Sequence, residues 1–413
     1  MALTEAQVVA VEIEKVNPKV PILFERDDTF YSQVEKKNVE VVSNRDMRIP
    51  LKIRPGGKFG HFDPDGGDLG RGESSTFDKA VINCVHLKFA VEWTKKAEWA
   101  TDEGRKAVLN ALQDLTADAM PEFRAHVDKL CMTDGTGVVA TISNVAGTTF
   151  TLNAAGDGFQ ARLLRFGDGI GVYAANLLTF RGTATITAID YAAKTITVNA
   201  APGGTIATDK ITIEGLSATP PVSLLGVPYH HNDASTGTWL GFNRATTPEI
   251  RANRVNAGSS SLALPFARLA INKIGDRVGL QNDFKPEAWM HPCQVDSYEQ
   301  LGTLIQRIDK SPSDEALNLY FGDNMVLAGA KVRKSFNWNK TRIDFVTRSV
   351  WGRAEMHKAG YYEVGGRKMF EIRGASGGVA TSQVMYLAVS MNLFLQNPAI
   401  GSYIDTLSIP AGY

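Results

Sequence analysis

The sequence predicts an α+β protein with a small β-rich module in the middle of the chain. Three observations support this fold class. Apolar and polar residues alternate between positions 47 and 93, a helical stripe of apolar residues runs through 101–130, and 137–217 contains an internal repeat. The 413 residues are enough for two or three domains with cores of their own. The 44% hydrophobic and 21% charged residues are typical of a globular protein.

The N-terminal segment, 1–44, has the pattern of an arm and not of a domain. Residues 4–16 predict a short helix that Thr4 caps, and Pro18 and Pro21 end it. Such a segment has too little apolar surface to fold alone, so we expect it to lie on another part of the protein.

The segment 45–93 predicts a projecting arm made of two long strands. Apolar residues occupy alternate positions of 47–53 and again of 81–93, which is the period of a half-buried strand. Between these runs, 55–75 holds seven glycines and several aspartates, and loops of that length are uncommon inside compact domains. An arm with an apolar stripe needs a partner surface that covers the stripe.

The strongest helix of the sequence is predicted at 101–130. Thr101 is a suitable N-cap, and Asp102 and Glu103 place negative charge in the first turn. Apolar residues then recur every three or four positions over the whole segment. Pro121 falls inside this stripe, so we expect a kink or a break there.

Residues 137–217 predict a small barrel or sandwich that contains a duplicated hairpin. The segment 140–155 recurs at 184–201, and each copy consists of two short alternating runs around a turn of small residues. Further strands at 163–173 and 210–213 give five or six in all. The module contains no His, Cys or Trp, so we expect it to display a surface and to carry little chemistry.

After Pro220 and Pro221 the sequence returns to a mixed α/β pattern. Helices are predicted around 262–274, with Ser259–Ser261 as the cap, and around 295–308. Strands are predicted at 288–290, 325–332, 342–346, 361–364 and 384–395.

The loop His61–Asp68 resembles a cation-binding loop but does not match one. An EF-hand counted from Asp63 needs an oxygen ligand, a glycine and a glutamate at its fifth, sixth and twelfth positions. The sequence has Gly67, Asp68 and Ser74 there. A solvated arm tip is the favoured interpretation.

The remaining candidates for chemistry are equally weak. His230, His231 and Asp233 could chelate a metal, but no further ligand pattern lies nearby, and a turn after Pro228 is favoured. Gly167–Gly171 lacks the glycine spacing and the strand–turn–helix unit of a dinucleotide site. The sequence therefore predicts a protein that is not an enzyme, with no catalytic residues, no cofactor and no metal site.

Charge and cysteine content exclude further classes. Lys+Arg and Asp+Glu both total 44, so no overall field draws the chain to nucleic acid. The cluster Lys331, Arg333 and Lys334 is most simply a solvated strand face, with a nucleic-acid surface as the alternative. The three cysteines are odd in number and far apart, which predicts free thiols in a reducing compartment. With no secretory signal and no apolar run long enough for a bilayer, we expect a cytosolic product.

The order of the parts resembles the major capsid proteins of tailed bacteriophages, which have the Hong Kong 97-like fold. The resemblance covers nearly the whole chain, and it depends on the ordered set because each motif alone is weak. The residues that carry it are the arm Arg45–Trp93, the helix Thr101–Leu130 with 134–140 after it, Leu225–His230, Trp289–Pro292 and Gln396–Gly401.

The resemblance implies a shell subunit with six parts. These are an N-terminal arm (1–44), an extended hairpin loop (45–93), the spine helix of a peripheral domain (94–136), an inserted β-barrel-like domain that faces outward (137–217), an axial domain (218–340) and C-terminal strands that complete the axial and peripheral domains (341–413).

It also implies that copies of the chain associate as hexamers and pentamers of an icosahedral head shell around double-stranded DNA. The protein would be made in the host bacterial cytoplasm and end in the virion, without a membrane. Because no charged helical propeptide is evident, a separate scaffolding protein is expected, together with a portal and, as in some relatives, a decoration protein. Some relatives cross-link their subunits through lysine, but we do not expect Lys58 on the arm to do so.

The predicted long helix suggests how such a subunit would meet DNA. Its six acids outnumber its four bases, so a polar face that lines the shell would hold packaged DNA weakly and non-specifically. The acids are Asp102, Glu103, Asp114, Asp118, Glu122 and Asp128, and the bases are Arg105, Lys106, Arg124 and Lys129.

Two other function classes remain open from the residues alone. The threonine-rich module could belong to a decoration or fibre protein that recognises carbohydrate or a partner protein. An enzyme of unknown class is the third alternative, and no constellation of residues supports it. A shell subunit predicts capsomers or very large particles in size-exclusion chromatography, whereas a binding module predicts a small, defined oligomer.

Overall fold

The computed structural model describes residues 29–36, 40–41, 46–61, 65, 71–96, 111–152, 163–216, 218–279, 284–306, 325–373, 379–410 and 412. The predicted helix at 4–16 and the first ten residues of the predicted long helix lie outside these residues. The described helices are α1 (Ala111–Leu130), α2 (Val227–His230), α3 (Leu264–Val278) and α4 (Pro292–Gln306), with 3-10 turns at Pro248–Ile250, Arg348–Val350 and Pro398–Ile400.

The described strands are β1 (Glu40–Val41), β2 (Asp46–Arg54), β3 (Thr76–Asn83), β4 (Val85–Thr94), β5 (Val138–Ala146), β6 (Thr149–Leu152), β7 (Gly169–Tyr173), β8 (Phe180–Asp190), β9 (Thr195–Val198), β10 (Lys210–Ile213), β11 (Thr238–Trp239), β12 (Phe242–Asn243), β13 (Asn253–Asn256), β14 (Glu287–Met290), β15 (Val326–Leu327), β16 (Ala330–Lys334), β17 (Ile343–Val346), β18 (Trp351–Tyr361), β19 (Met369–Arg373), β20 (Val379–Leu395) and β21 (Ser402–Asp405). The chain divides into two compact units. The first contains the described residues of Met1–Gln33, Cys84–Cys131 and Glu355–Met391, and the second contains those of Val34–Asn83, Met132–Ala354 and Asn392–Tyr413.

The first unit places helix α1 against a long antiparallel sheet. Strand β4 pairs with β20 over ten residues, and β18 and β19 complete the sheet. Phe123 of α1 is buried and its ring lies 6.3 Å from that of Phe89 on β4, which fixes the helix on the sheet. The helix continues through Pro121, so the break that the sequence allowed there does not occur.

The end of α1 anchors part of the N-terminal arm. The buried Asp128 carboxylate accepts hydrogen bonds from the backbone N–H groups of Phe30 (2.9 Å) and Tyr31 (2.7 Å). Because a buried backbone donor needs a partner, this carboxylate holds the turn at 29–33 in place. Asp128 therefore has a structural role inside the unit and does not belong to a solvated acidic face.

The second unit contains the arm, which is shorter than the sequence suggested. Strands β2 and β3 pair in antiparallel fashion from Asp46 opposite Asn83 to Arg54 opposite Thr76. The alternating run at 81–93 was expected to be one strand, but it is divided at Cys84, and β4 after that point pairs with β20. The Asn83 carbonyl accepts a hydrogen bond from Asn392 Nδ2 at 2.8 Å at the break. The alternation does not reveal it, because both pieces are half-buried strands.

The strands between Val138 and Ile213 close into a barrel in the order β10-β5-β6-β9-β8-β7. The two copies of the sequence repeat are the hairpins β5/β6 and β8/β9, and β6 pairs with β9 to join them. Equivalent positions of both copies fill the interior. These residues are Ala140, Ile142, Phe150 and Leu152 in the first copy and Ala184, Ile186, Ile196 and Val198 in the second.

The largest core of the second unit lies in a six-stranded mixed sheet. Its strand order is β13-β21-β17-β14-β16-β15, and side chains of α3 and α4 pack into its core. Helix α3 begins after Ala263, which makes no side-chain cap, so the predicted cap at Ser259–Ser261 is wrong. Pro265 in the first turn needs no N–H partner, which replaces the cap. The expected strand at 361–364 is also wrong, since β18 ends at Tyr361.

Candidate functional site

The two adjacent histidines are buried and contact different partners. Among the described residues, no group of three or more His, Cys, Asp or Glu side chains converges as metal ligands would. His230 Nε2 lies 3.2 Å from the Leu393 carbonyl, and Trp239 Nε1 donates to His230 Nδ1 at 3.0 Å. Asp233 instead accepts a hydrogen bond from the Tyr403 hydroxyl at 2.8 Å. His230, His231 and Asp233, which are neighbours in the sequence, therefore contact different partners.

His231 belongs to a buried ionic network that the sequence did not reveal. Its Nδ1 lies 3.0 Å from Asp344 Oδ1, and Arg342 donates to both Asp344 oxygens at 2.8–3.1 Å. Trp338 Nε1 donates to Asp344 Oδ2 at 3.0 Å. The Arg342 guanidinium lies 4.1 Å from the centre of the Tyr403 ring. The network ties α2 to strands β17 and β21, so we assign it to stability.

The electrostatics of this network follow from burial and pairing. Burial would raise the pKa of Asp344, but the Arg342 charge and the hydrogen bonds outweigh it and lower the pKa to about 2. Burial lowers the pKa of His230 to about 3, and the nearby Arg244 charge acts in the same direction. The pKa of His231 is also lowered by burial, although Asp344 opposes the shift.

The glycines at 167–171 shape the turn before β7 and the packing of this strand in the barrel. Gly167 has φ +85° and forms the turn before β7. A Cβ at Gly169 would overlap the Glu214 carboxylate, and one at Gly171 would lie 2.8 Å from Thr212 Oγ1. These glycines therefore permit the close approach of neighbouring strands.

The basic cluster on β16 is partly neutralised. Arg333 donates to Glu287 Oε1 at 3.0 Å, and Arg348 donates to the same oxygen at 2.8 Å. Lys331 and Lys334 are exposed, as the sequence predicted for a solvated strand face. A nucleic-acid surface at this cluster would therefore have to form from the two lysines.

The acidic face predicted on the long helix is smaller than the residue count suggested. Asp128 and Lys129 are buried, and Asp118 and Glu122 are half-buried with partners of their own. The side chain of Asp114 and the acids at 102–103 lie outside the described side chains.

The arm is the most distinctive candidate surface. Its base is packed, with Met47, Ala80 and Ile82 buried, whereas the outer half of β3 is exposed. Two aromatic side chains are nearly unprotected: Phe77 is 66% exposed, and Phe59, in the stretch after β2, is 97% exposed.

The outer half of the arm also has an apolar face. Ile49, Leu51 and Ile53 point in alternate register along β2 and are only partly covered. Lys58 and His61 are exposed in the stretch after β2, and 62–64 and 66–70 lie outside the described residues. We define the arm face as Ile49, Leu51 and Ile53; Phe77 pairs with Lys52 and lies on the opposite face, with the Lys52 ammonium 5.8 Å from the centre of its ring. Exposed apolar groups of this kind are typical of an interaction surface.

A shallow open depression is lined by Asp233, Pro248, Glu249, Arg251, Ala252 and Arg277. The Arg277 guanidinium in this depression donates hydrogen bonds to the carbonyls of Pro248 and Glu249, both at 3.1 Å. It therefore connects the end of α3 to the 3-10 turn at Pro248–Ile250. Cys84, Cys131 and Cys293 are free thiols, as expected. No described helix combines the length and apolar character that a bilayer crossing needs.

Comparison with known proteins identifies the fold. No protein-family model matches the chain, and no curated protein matches it. A chain from the capsid asymmetric unit of Cyanophage A-1(L) is similar over 98% of this chain and 100% of its own, with a TM-score of 0.55 and 12% sequence identity.

Two further solved structures score lower. The mature capsid of bacteriophage PhiM1 is similar over 96% of this chain and 92% of its own, with a TM-score of 0.48 and 10% identity. The holo-SrpI encapsulin of Synechococcus elongatus PCC 7942 is similar over 100% and 99%, with a TM-score of 0.46 and 8% identity. A TM-score below 0.5 does not establish a shared fold. The fold assignment therefore depends on the likeness to the cyanophage chain. The chain therefore has the fold of a chain from a cyanophage capsid.

Proposed function

We propose that this protein is a major capsid protein whose copies assemble into an icosahedral head shell around double-stranded DNA. The observation that carries the proposal is the likeness to a phage capsid chain over essentially the full length of both chains. The arm adds a physical reason for self-association, because its outer half exposes apolar side chains that water solvates poorly.

The arm face would be covered by a neighbouring subunit of the shell. Its packed base holds the arm in one direction, while the exposed outer half offers the alternating apolar side chains of a strand. In this proposal the barrel is an inserted domain, the helix α1 is the spine, and the six-stranded sheet is the axial domain. The protein has a structural role and performs no catalysis.

The first experiment removes the outer arm. Deleting 56–74 and joining the strands by a two-residue turn preserves the pairing of Arg54 with Thr76. We expect a soluble, folded subunit that no longer forms capsomers or shells in size-exclusion chromatography and electron microscopy. Normal shells from this variant would contradict the proposal.

A matched pair of substitutions tests the arm face more finely. Leu51→Asp places a charge on the apolar face, whereas Lys52→Asp places one on the opposite face at the adjacent position. We expect Leu51→Asp to abolish assembly, and we expect Lys52→Asp still to form particles that elute as large assemblies. Equal loss with both variants would show that charge on the arm, and not its apolar face, controls assembly.

A wild-type chain that elutes as a small, defined oligomer would favour the carbohydrate- or protein-binding alternative.

The remaining partners are proposed on the same basis. A separate scaffolding protein, a portal and a decoration protein would act with the shell, and the product would pass from the host cytoplasm to the virion. The chain has 44 basic and 44 acidic residues, which supports weak, non-specific contact with packaged DNA. We expect DNA binding by the purified subunit to be weak and to disappear with added salt. Tight binding at physiological salt would overturn this part.

A further inference from the structure

The buried histidines connect one loop region of the second unit to its sheet strands. His230 ends the short helix α2 and contacts Trp239 of β11 and the Leu393 carbonyl of β20. His231 follows it and contacts Asp344 of β17. Both rings also lie against Trp351, with ring centroids 5.3 and 5.4 Å away. The segment from α2 to β12 is thus fastened at two adjacent positions.

The partners of His230 define its protonation state. An indole N–H can only donate, so His230 Nδ1 must accept from Trp239, and the proton of the neutral ring lies on Nε2. Nε2–H then donates to the Leu393 carbonyl at 3.2 Å. A second proton on Nδ1 would point an N–H at the N–H of Trp239. The closed arrangement therefore requires neutral His230.

His231 has a similar restriction on its other nitrogen. Nδ1–H donates to Asp344, and the buried Nε2 makes no hydrogen bond. Gly401 lies directly against this edge of the ring, because a Cβ built on Gly401 would be 2.6 Å from Nε2. A proton on Nε2 would be buried without an acceptor, which is costly.

Charged groups lie beside both histidines and influence the pKa of each ring. Arg244 is the cation that faces His230, and it donates to the Tyr229 carbonyl at 2.9 Å. Arg342 and Asp344 face His231 as a bonded ion pair. His230 therefore has a cation and no carboxylate among its described neighbours, whereas His231 has the Asp344 carboxylate beside it.

We propose that His230 and His231 form an acid-sensitive latch, which holds the segment 225–244 on the sheet while both rings are neutral and releases it when His230 takes up a proton. Release would expose His230 to water, break its hydrogen bond to the Leu393 carbonyl, and free the helix α2 and the β11/β12 turn from the sheet. The latch acts within one subunit, so it does not depend on shell assembly.

The direction of the pH dependence follows from linkage. Burial lowers the pKa of His230 from 6.5 to about 3 in the closed state, while the exposed ring of the open state has its ordinary value. Between these values the open state binds more protons. The closed state is therefore fully favoured above about pH 6.5 and loses its advantage as the pH falls toward about 3.

Hydrogen exchange of the purified full-length subunit tests the latch. The amide of Leu225, bonded to Asn392 Oδ1 of β20 at 2.9 Å, reports release from the sheet, and the amide of His231, bonded to the Val227 carbonyl at 2.8 Å, reports the helix α2. After correction for intrinsic exchange, their opening constant should rise about 100-fold between pH 7 and pH 4.5. The amide of Ile142 in the barrel should show no such rise.

Variants separate the latch from general acid instability. His230→Gln keeps a neutral side chain that donates and accepts, so its opening constant should be higher at pH 7 but nearly independent of pH. His357→Gln, an exposed control, should retain the wild-type rise. A wild-type opening constant that is flat between pH 6 and pH 4 overturns the proposal even if His230→Gln does not fold. An unchanged pH dependence in folded His230→Gln overturns it as well.

Discussion

Replacing Gly401 by alanine tests how tightly the buried network is packed. Gly401 has φ −80° and ψ 138°, which any residue adopts, so the substitution strains no backbone torsion. The new methyl group would lie 2.6 Å from both Cδ2 and Nε2 of His231 and 3.2 Å from the Pro398 carbonyl oxygen. The methyl group or the ring therefore has to move.

The surroundings of His231 leave little room for that movement. The ring is fully buried, bonds Asp344 at 3.0 Å and lies beside Trp351. Overpacking of a buried site costs about 1–3 kcal/mol. Weakening a hydrogen bond to a charged group adds roughly 1.5–3 kcal/mol. We expect Gly401→Ala to lower the free energy of unfolding by about 3 kcal/mol or more, which corresponds to a fall in Tm of roughly 3–5 °C for a protein of this size.

Thermal melting of the unassembled subunit measures this effect, with Gly203→Ala as the matched control. Gly203 is exposed in a barrel loop, and a Cβ there meets nothing within 4 Å. The control should melt within about 2 °C of the wild type, because it adds no contact. If Gly401→Ala also melts within about 2 °C of the wild type, the packing around His231 is looser than the structure shows and the reasoning fails.

Three further expectations concern the network and the barrel. Asp344→Asn should lower the free energy of unfolding by about 3–5 kcal/mol, because it leaves Arg342 without its buried counter-charge. Denaturant unfolding measures this loss, and an effect below about 1 kcal/mol would contradict the pairing. The isolated segment 137–217 should fold with a β-type circular dichroism spectrum and a cooperative thermal transition, and a random-coil spectrum would count against an independent domain. Within that segment, Phe150→Ala should cost about 3–5 kcal/mol because the ring is fully buried in the barrel; an unchanged melting temperature would show that the barrel interior tolerates a cavity.

Local patterns predicted much of the barrel and the long helix. The repeat of 140–155 at 184–201 predicted two hairpins, and the structure has them as β5/β6 and β8/β9. The strands of each hairpin are close in sequence, so their alternation and the turn between them carry most of the information. The stripe that predicted the helix is likewise local, and its described part, Ala111–Leu130, is helical throughout.

The sequence did not predict the strand pairing at the point where the chain changes its partner strand without a change in the alternation of apolar residues. The run at 81–93 alternates without interruption, yet it is shared between β3, which pairs with β2, and β4, which pairs with β20. A period of two residues shows that a strand has one buried face, but it does not identify the strand beside it. Asp128 was miscounted for a related reason, since its partners Phe30 and Tyr31 lie 98 and 97 residues away.

The buried network shows most clearly why fold and site differ in predictability. His231 and Asp344 are 113 residues apart, and Tyr403 and Asp233 are 170 apart, so no local spacing joins them. A sequence pattern grouped His230, His231 and Asp233 because they are neighbours, but in the second unit they face different strands. What makes the two histidines important is their complete burial, which disfavours a charge on each ring and gives each nitrogen a defined environment. Burial of that kind is a property of the assembled sheet and the loop that closes over it, so the acid sensitivity that we propose for this pair arises only once the fold is formed.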